Sequence, residues 1–162
     1  MLRANIGQAI LAGFVATLVM TFLMYLAPLM GMPKMDIASM LGSLFFTPAP
    51  APGTSGWWVG MIMHFINGSI IFPLVFAYLL YPLLPGRPWV KGLGWGLVLW
   101  FLAQALVMPM MGMGFFTSEH PQATAAVVGS LLAHILYGAI FGALYGRGGA
   151  AVTHVDYERP AA

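Results

Sequence analysis

Two histidines and a group of methionines are the residues of this 162-residue chain best suited to chemistry. His64 and His134 each lie inside a long apolar stretch, in a row of mostly small residues at four-residue spacing. One row is Gly56, Gly60, His64 and Gly68; the other is Ser130, His134, Gly138, Gly142 and Gly146. Such rows let helices approach closely, so both imidazoles are expected to face protein rather than lipid. Two histidines at matching depth could ligate one iron from opposite faces as a bis-histidine haem b, with the neighbouring glycines making room for the porphyrin. The plainer alternative is two buried neutral imidazoles hydrogen-bonded across helices, with Asn67, Gln104, Tyr25 or Thr21 as partners. Geometry separates these readings. Helices in direct contact have axes about 8–10 Å apart, and a haem held between two imidazoles needs a wider gap. The expectation is a closed bundle centre, with the small-residue rows packed on each other or on the first and third spanning helices.

Methionine is the second unusual feature, with 13 copies. Most of them (Met30, Met32, Met35, Met40, Met61, Met63, Met108, Met110, Met111 and Met113) fall at one side of the chain's apolar stretches. Thioethers are soft ligands suited to Cu(I), and Met30, Met32, Met111 and Met113 are the candidate ligands. Methionine also fills irregular gaps at helix ends rich in Pro and Gly, and that reading stands beside the first. Catalysis finds little support. Asp36 and Glu119 are single carboxylates in loops, His120 and His154 read as solvated, and no nucleophile–base–acid order stands out. The Gly-rich stretches at 92–96 and 138–149 lack a following Lys-Ser/Thr and belong to helix packing rather than phosphate binding. There is no cysteine, which excludes thiolate sites and disulfides. With a net charge of +2 and no basic run, nucleic acid is not an expected partner.

The elements that must position these residues are membrane helices. Only 6% of the residues are charged, 60% are apolar, and the mean hydropathy is +0.89. That leaves too little polar surface to wet a globule, so lipid is the expected solvent. Four stretches reach the roughly 20 apolar residues needed to span: about 6–27, 57–81, 90–111 and 123–145. The first is read as a retained helix rather than a cleaved signal, because it is long enough to span. Pro73 lies inside the second stretch and is expected to kink it, freeing the carbonyl of Ser69. Between the first two spans, Asp36 can cap a short helix whose apolar residues Ile37, Met40, Leu41, Leu44 and Phe45 recur at helical spacing. It is too short to cross and is expected to lie in the outer interface. Trp57 and Trp58 read as interfacial anchors of the second span. Residues 148–162 read as a disordered tail.

The chain also resembles itself. A shift of 81 places Gly13 on Gly94, Pro28 on Pro109 and Met30-Gly31-Met32 on Met111-Gly112-Met113; a shift of 70 places His64 on His134 and Gly68 on Gly138. The expected fold is therefore all-α: a four-helix membrane bundle of two duplicated hairpins (about 6–81 and 90–145) forming one domain over residues 1–147, plus the short interfacial helix. Arg3, Arg87, Lys91, Arg147 and Arg159 fall on one side of a four-span topology and Lys34 alone on the other. By the positive-inside bias both termini are cytoplasmic and the methionine-rich loops lie outside.

The hydropathy profile, the Met-Gly-Met segments and the His-x3-Gly spans resemble small four-helix bacterial membrane proteins of a family without assigned function. The resemblance covers about residues 6–146 and implies no activity, cofactor or site. The expected location is accordingly a bacterial inner membrane. The expected role is a non-enzymatic accessory or scaffolding subunit, working with a membrane-protein partner or as a homo-oligomer. A haem b cytochrome and a Cu(I)-handling protein stand as alternatives.

Overall fold

The computed structural model describes residues 5–149, and every regular element among them is helical. Four helices are long and apolar enough to cross a membrane: α1 (Ile6–Met30), α3 (Ser55–Leu80), α4 (Pro88–Met110) and α5 (Ala123–Gly149). The short α2 (Ile37–Gly42) lies between the first two. The expected tail overlaps this structure only at its first residues, where α5 continues to Gly149. Residues 150–162, with His154, lie outside the described residues.

Local sequence sets where the helices start and stop. Asn5, Asp36 and Thr54 each accept a hydrogen bond from a first-turn N–H, at Gln8, Ser39 and Trp57 respectively. Those side chains satisfy donors that have no partner inside the helix. Pro88 opens α4, where its missing N–H costs nothing. The ends of α1 and α4 close alike. Gly31 and Gly112 adopt left-handed φ values of +80° and +73°, and the N–H groups of Met32 and Met113 reach back to the carbonyls of Ala27 and Met108. This is the turn that glycine makes accessible at a helix C-terminus. The two histidine regions differ more: His64 lies just before a π-helical stretch at Asn67–Ile71, whereas α5 around His134 is unbroken.

Pro73 does free a carbonyl, but not the one expected. In the wider register of Asn67–Ile71, Phe72 N–H bonds Asn67 O, five residues back. The carbonyl that a Pro73 N–H would have reached in that register is Gly68 O, rather than Ser69 O. The Tyr137 hydroxyl of α5 donates to it at 2.7 Å.

The end of the bundle that carries the described termini is tightly packed. Gln8 Nε2 donates to Leu144 O at 2.7 Å, and Ala9, Ala12 and Ala16 of α1 are fully buried. A β-carbon on Gly138 would run into the backbone of Gly92, and one on Gly142 into Pro88 O and Gly92. Across this floor Phe76 sets its ring edge-on against both Phe141 and Tyr145, with Phe76 and Phe141 centroids 5.1 Å apart. Gly13 and Gly68 bring α1 against α3, touching Pro73 and Thr17. The opposite surface of α1 presents Leu11, Phe14, Leu18 and Phe22 outward, an apolar face suited to lipid.

Candidate functional site

The small-residue rows pack largely as their spacing predicts, yet the bundle centre is not closed. Gly68 lies against Thr17 of α1, and Gly138 and Gly142 lie against α4. Gly56 and Gly60 instead receive α2, whose Ala38 backbone sits where a β-carbon of Gly60 would be. Because the close contacts of α5 with α4 lie toward the termini, the methionine end retains a cavity of about 610 Å³. All four spanning helices line it, and Met35, Ile37, Met40 and Leu41 cover it from the α2 segment. Among the described residues, no Lys, Arg, Asp or Glu lines it.

His64 and His134 both reach this cavity. Their hydrogen bonds fix which nitrogen each presents. The Thr21 hydroxyl donates to Thr17 O at 2.7 Å, which uses its single hydrogen. Were that hydrogen turned toward His64, two oxygens at that distance would face each other without a proton between them. The 2.8 Å contact between Thr21 Oγ1 and His64 Nε2 is therefore an Nε2–H donation to the hydroxyl oxygen, leaving Nδ1 as an acceptor. His134 is held by its own helix. Ser130 O can only accept, so the 2.8 Å contact with His134 Nδ1 places the hydrogen there and leaves Nε2 as an acceptor. No protein hydrogen bond among the described residues reaches either remaining nitrogen.

Other polar groups on the cavity wall are mostly engaged. Thr17 donates to Gly13 O and Tyr137 to Gly68 O, while Ser130 Oγ accepts from Gln104 Nε2 at 3.2 Å. Asn67, on the same wall as His64, makes no side-chain hydrogen bond among the described residues. Of the partners expected for the histidines, only Thr21 serves. Gln104 is fully buried and accepts from Thr117 Oγ1 at 2.7 Å. That bond holds Thr117 at a φ of +57°, a strained conformation for a β-branched residue.

Tyr25 is engaged by Asp36, which is not the simple loop carboxylate expected. Asp36 caps α2, accepts from Tyr25 OH at 3.1 Å, and accepts from Trp57 Nε1 at 2.9 Å. Trp57 is therefore a bonded part of the cavity's cover, while Trp58 remains exposed like an interfacial anchor. His120 Nδ1 accepts the Gln122 N–H near the start of α5.

The four candidate methionine ligands divide between two cavities. Met30 and Met32 line the larger one with Met20, Met24 and Met108, and the tip of Met32 lies against Gly129. Met111 and Met113 line a second cavity of about 380 Å³ beside Ser39 and Ser43. Met40 borders both. The histidines thus share a cavity with Met30 and Met32, and not with Met111 and Met113. Sequence spacing pointed to the histidines, whereas the roles of Thr21 and Asn67 depend on helix pairing that no local pattern carries.

Comparison with known proteins gives one match. A family model described as "Family of unknown function (DUF6789)" matches residues 3–155. No curated protein and no solved structure matches the chain.

Proposed function

We propose that this chain, which belongs to the DUF6789 family of unknown function, is a non-enzymatic membrane protein that binds a small lipid-soluble molecule inside its helical bundle. One observation carries the reading: an apolar cavity of about 610 Å³ on which two oriented imidazoles each present an acceptor nitrogen. Ligand pockets commonly combine an apolar wall with a few placed polar groups that set orientation. A bundle serving only as a scaffold has no need of such a space, and filling it with larger side chains would improve its packing. The binding serves an accessory role toward a membrane-protein partner or a second copy, a role compatible with the exposed apolar faces.

The same geometry suits haem b poorly. His64 presents Nδ1, the nitrogen beside Cβ, where a porphyrin would crowd the histidine's own backbone. Among the described residues, no basic side chain lines the cavity to meet the propionates. Purified protein should yield, on organic extraction and mass spectrometry, one apolar compound in stoichiometric amount. That compound should be lost from the His64→Leu/His134→Leu double variant. Extraction of bulk lipid alone, equal in both proteins, would defeat the binding reading. A Soret band in the purified protein would restore the haem reading.

The orientation belongs to the same proposal: a bacterial inner membrane, with both termini and the Arg87 loop cytoplasmic. It is supported by Arg87, Lys91 and Arg147 lying at the termini end of the bundle and Lys34 at the other. A fluorophore that matures only in the cytoplasm should glow when fused to the C-terminus. Signal only from a periplasmic reporter at that position would reverse the orientation.

A further inference from the structure

We infer that the cavity selects hydrogen-bond donors, so that its ligand is a lipid-soluble hydroxyl compound of the hydroquinone or phenol class rather than the corresponding carbonyl compound. The inference deepens the ligand-binding reading and rests on it.

The argument runs through the two hydrogen bonds that hold the rings. In a neutral imidazole one nitrogen donates and the other accepts, and a free ring can exchange those roles to suit a ligand. Neither ring is free here. Ser130 O cannot donate, so moving the His134 hydrogen to Nε2 would set two lone pairs against each other at 2.8 Å. For His64 the same exchange would require Thr21 to turn its hydrogen away from Thr17 O, breaking a bond of 2.7 Å between buried atoms. Both nitrogens left on the cavity are therefore held as acceptors. A ligand hydroxyl meets either one with a hydrogen, whereas a quinone carbonyl meets it with another lone pair.

Asn67 is the remaining polar side chain without a protein hydrogen bond on this wall, and its amide can both donate and accept. It tolerates either ligand form and does not reverse the preference set by the rings. Ser130 accepts from Gln104 and keeps a hydroxyl hydrogen that either ligand form can accept, so like Asn67 it does not reverse the preference. The rest of the lining is mostly apolar, with the Thr17 and Tyr137 hydroxyls already donating, and takes an apolar body without choosing its oxidation state. The choice of ligand thus falls on the histidines, while the apolar wall supplies general affinity.

Three probes of one shape separate the claims: tetramethylhydroquinone, tetramethylbenzoquinone and tetramethylbenzene. Binding is measured anaerobically on full-length protein in nanodiscs, corrected for partition into protein-free nanodiscs. The expected result is that all three bind, with the hydroquinone at least about tenfold tighter than the quinone. In the His64→Leu/His134→Leu double variant that ratio should fall to about one while tetramethylbenzene still binds. Thr21→Val, which matches threonine in shape and releases the His64 ring to exchange its hydrogen, should narrow the ratio in a protein with both imidazoles. Equal binding of all three probes to the wild type would overturn donor selection and leave the apolar cavity standing. Binding of none above partition would overturn both. A tenfold preference that survives the double variant would remove the histidines as its source.

Discussion

Toward the termini, α4 and α5 meet through Gly92, Gly96, Gly138 and Gly142, with backbone against backbone. Farther along, the same two helices present Ala103, Leu106 and Met108 and, opposite, Ala126, Gly129 and Ala133 to a shared cavity. The first region has glycines where contact is needed and aromatic rings filling what remains; the second has imidazoles and flexible thioethers around open space. The contrast teaches that helix approach in this bundle is set locally. A close crossing at one end fixes the helix axes, and the space left at the other end is then bounded by whatever side chains happen to face it.

The largest expected effect comes from spoiling the close crossing. Gly138→Val would force α5 away from the Gly92 backbone, and overpacking of this kind costs about 3 kcal/mol. A thermal melt of the detergent-solubilised protein should show it as a marked fall in the midpoint. Gly94 has nothing within 4 Å of its β-carbon position, so Gly94→Ala should stay within about 0.5 kcal/mol of the wild type. Equal losses for the two variants would break the comparison, because they would mean that the glycines do not act through contact.

At the boundary between the regions, Tyr137→Phe leaves Gly68 O buried without a donor. The expected loss is about 1–3 kcal/mol, measured by the same melt. An unchanged midpoint would show that this bond does not stabilise the floor of the cavity.

A smaller loss than at the close crossing is expected at the cavity's cover. Asp36→Ala removes the cap of α2 and the acceptor for Tyr25 and Trp57, with a typical cost of about 1 kcal/mol for the cap. Asp36→Asn keeps an acceptor oxygen and should lose less. A fall as large as that of Gly138→Val would mean that α2 supports the whole bundle rather than covering one end.

Much of the scaffold was legible in the residues. The four spans, the Asp36 cap and the inward placement of Gly68, Gly138 and Gly142 each follow from a pattern confined to one segment. Pro73 shows where such reading stops. Its missing N–H follows from its chemistry, but the register of the preceding turn decided that Gly68 rather than Ser69 would lose a partner. The donor for that carbonyl came from Tyr137, 69 residues away. Tyr25 and Gln104 show the same limit: each was an expected partner of a histidine, and each is taken by another group.

The sequence by itself determined the solvent, the number of crossings and which faces could touch, because hydropathy, helical period and capping chemistry act within one segment. Only the tertiary structure decided that the centre stays open, that His64 and His134 share a cavity with Met30 and Met32, and which nitrogen of each ring is already bonded to protein. Those outcomes depend on distances between helices, and such a distance is set by the closest contacts along the whole interface rather than by the residues that face one another across the gap.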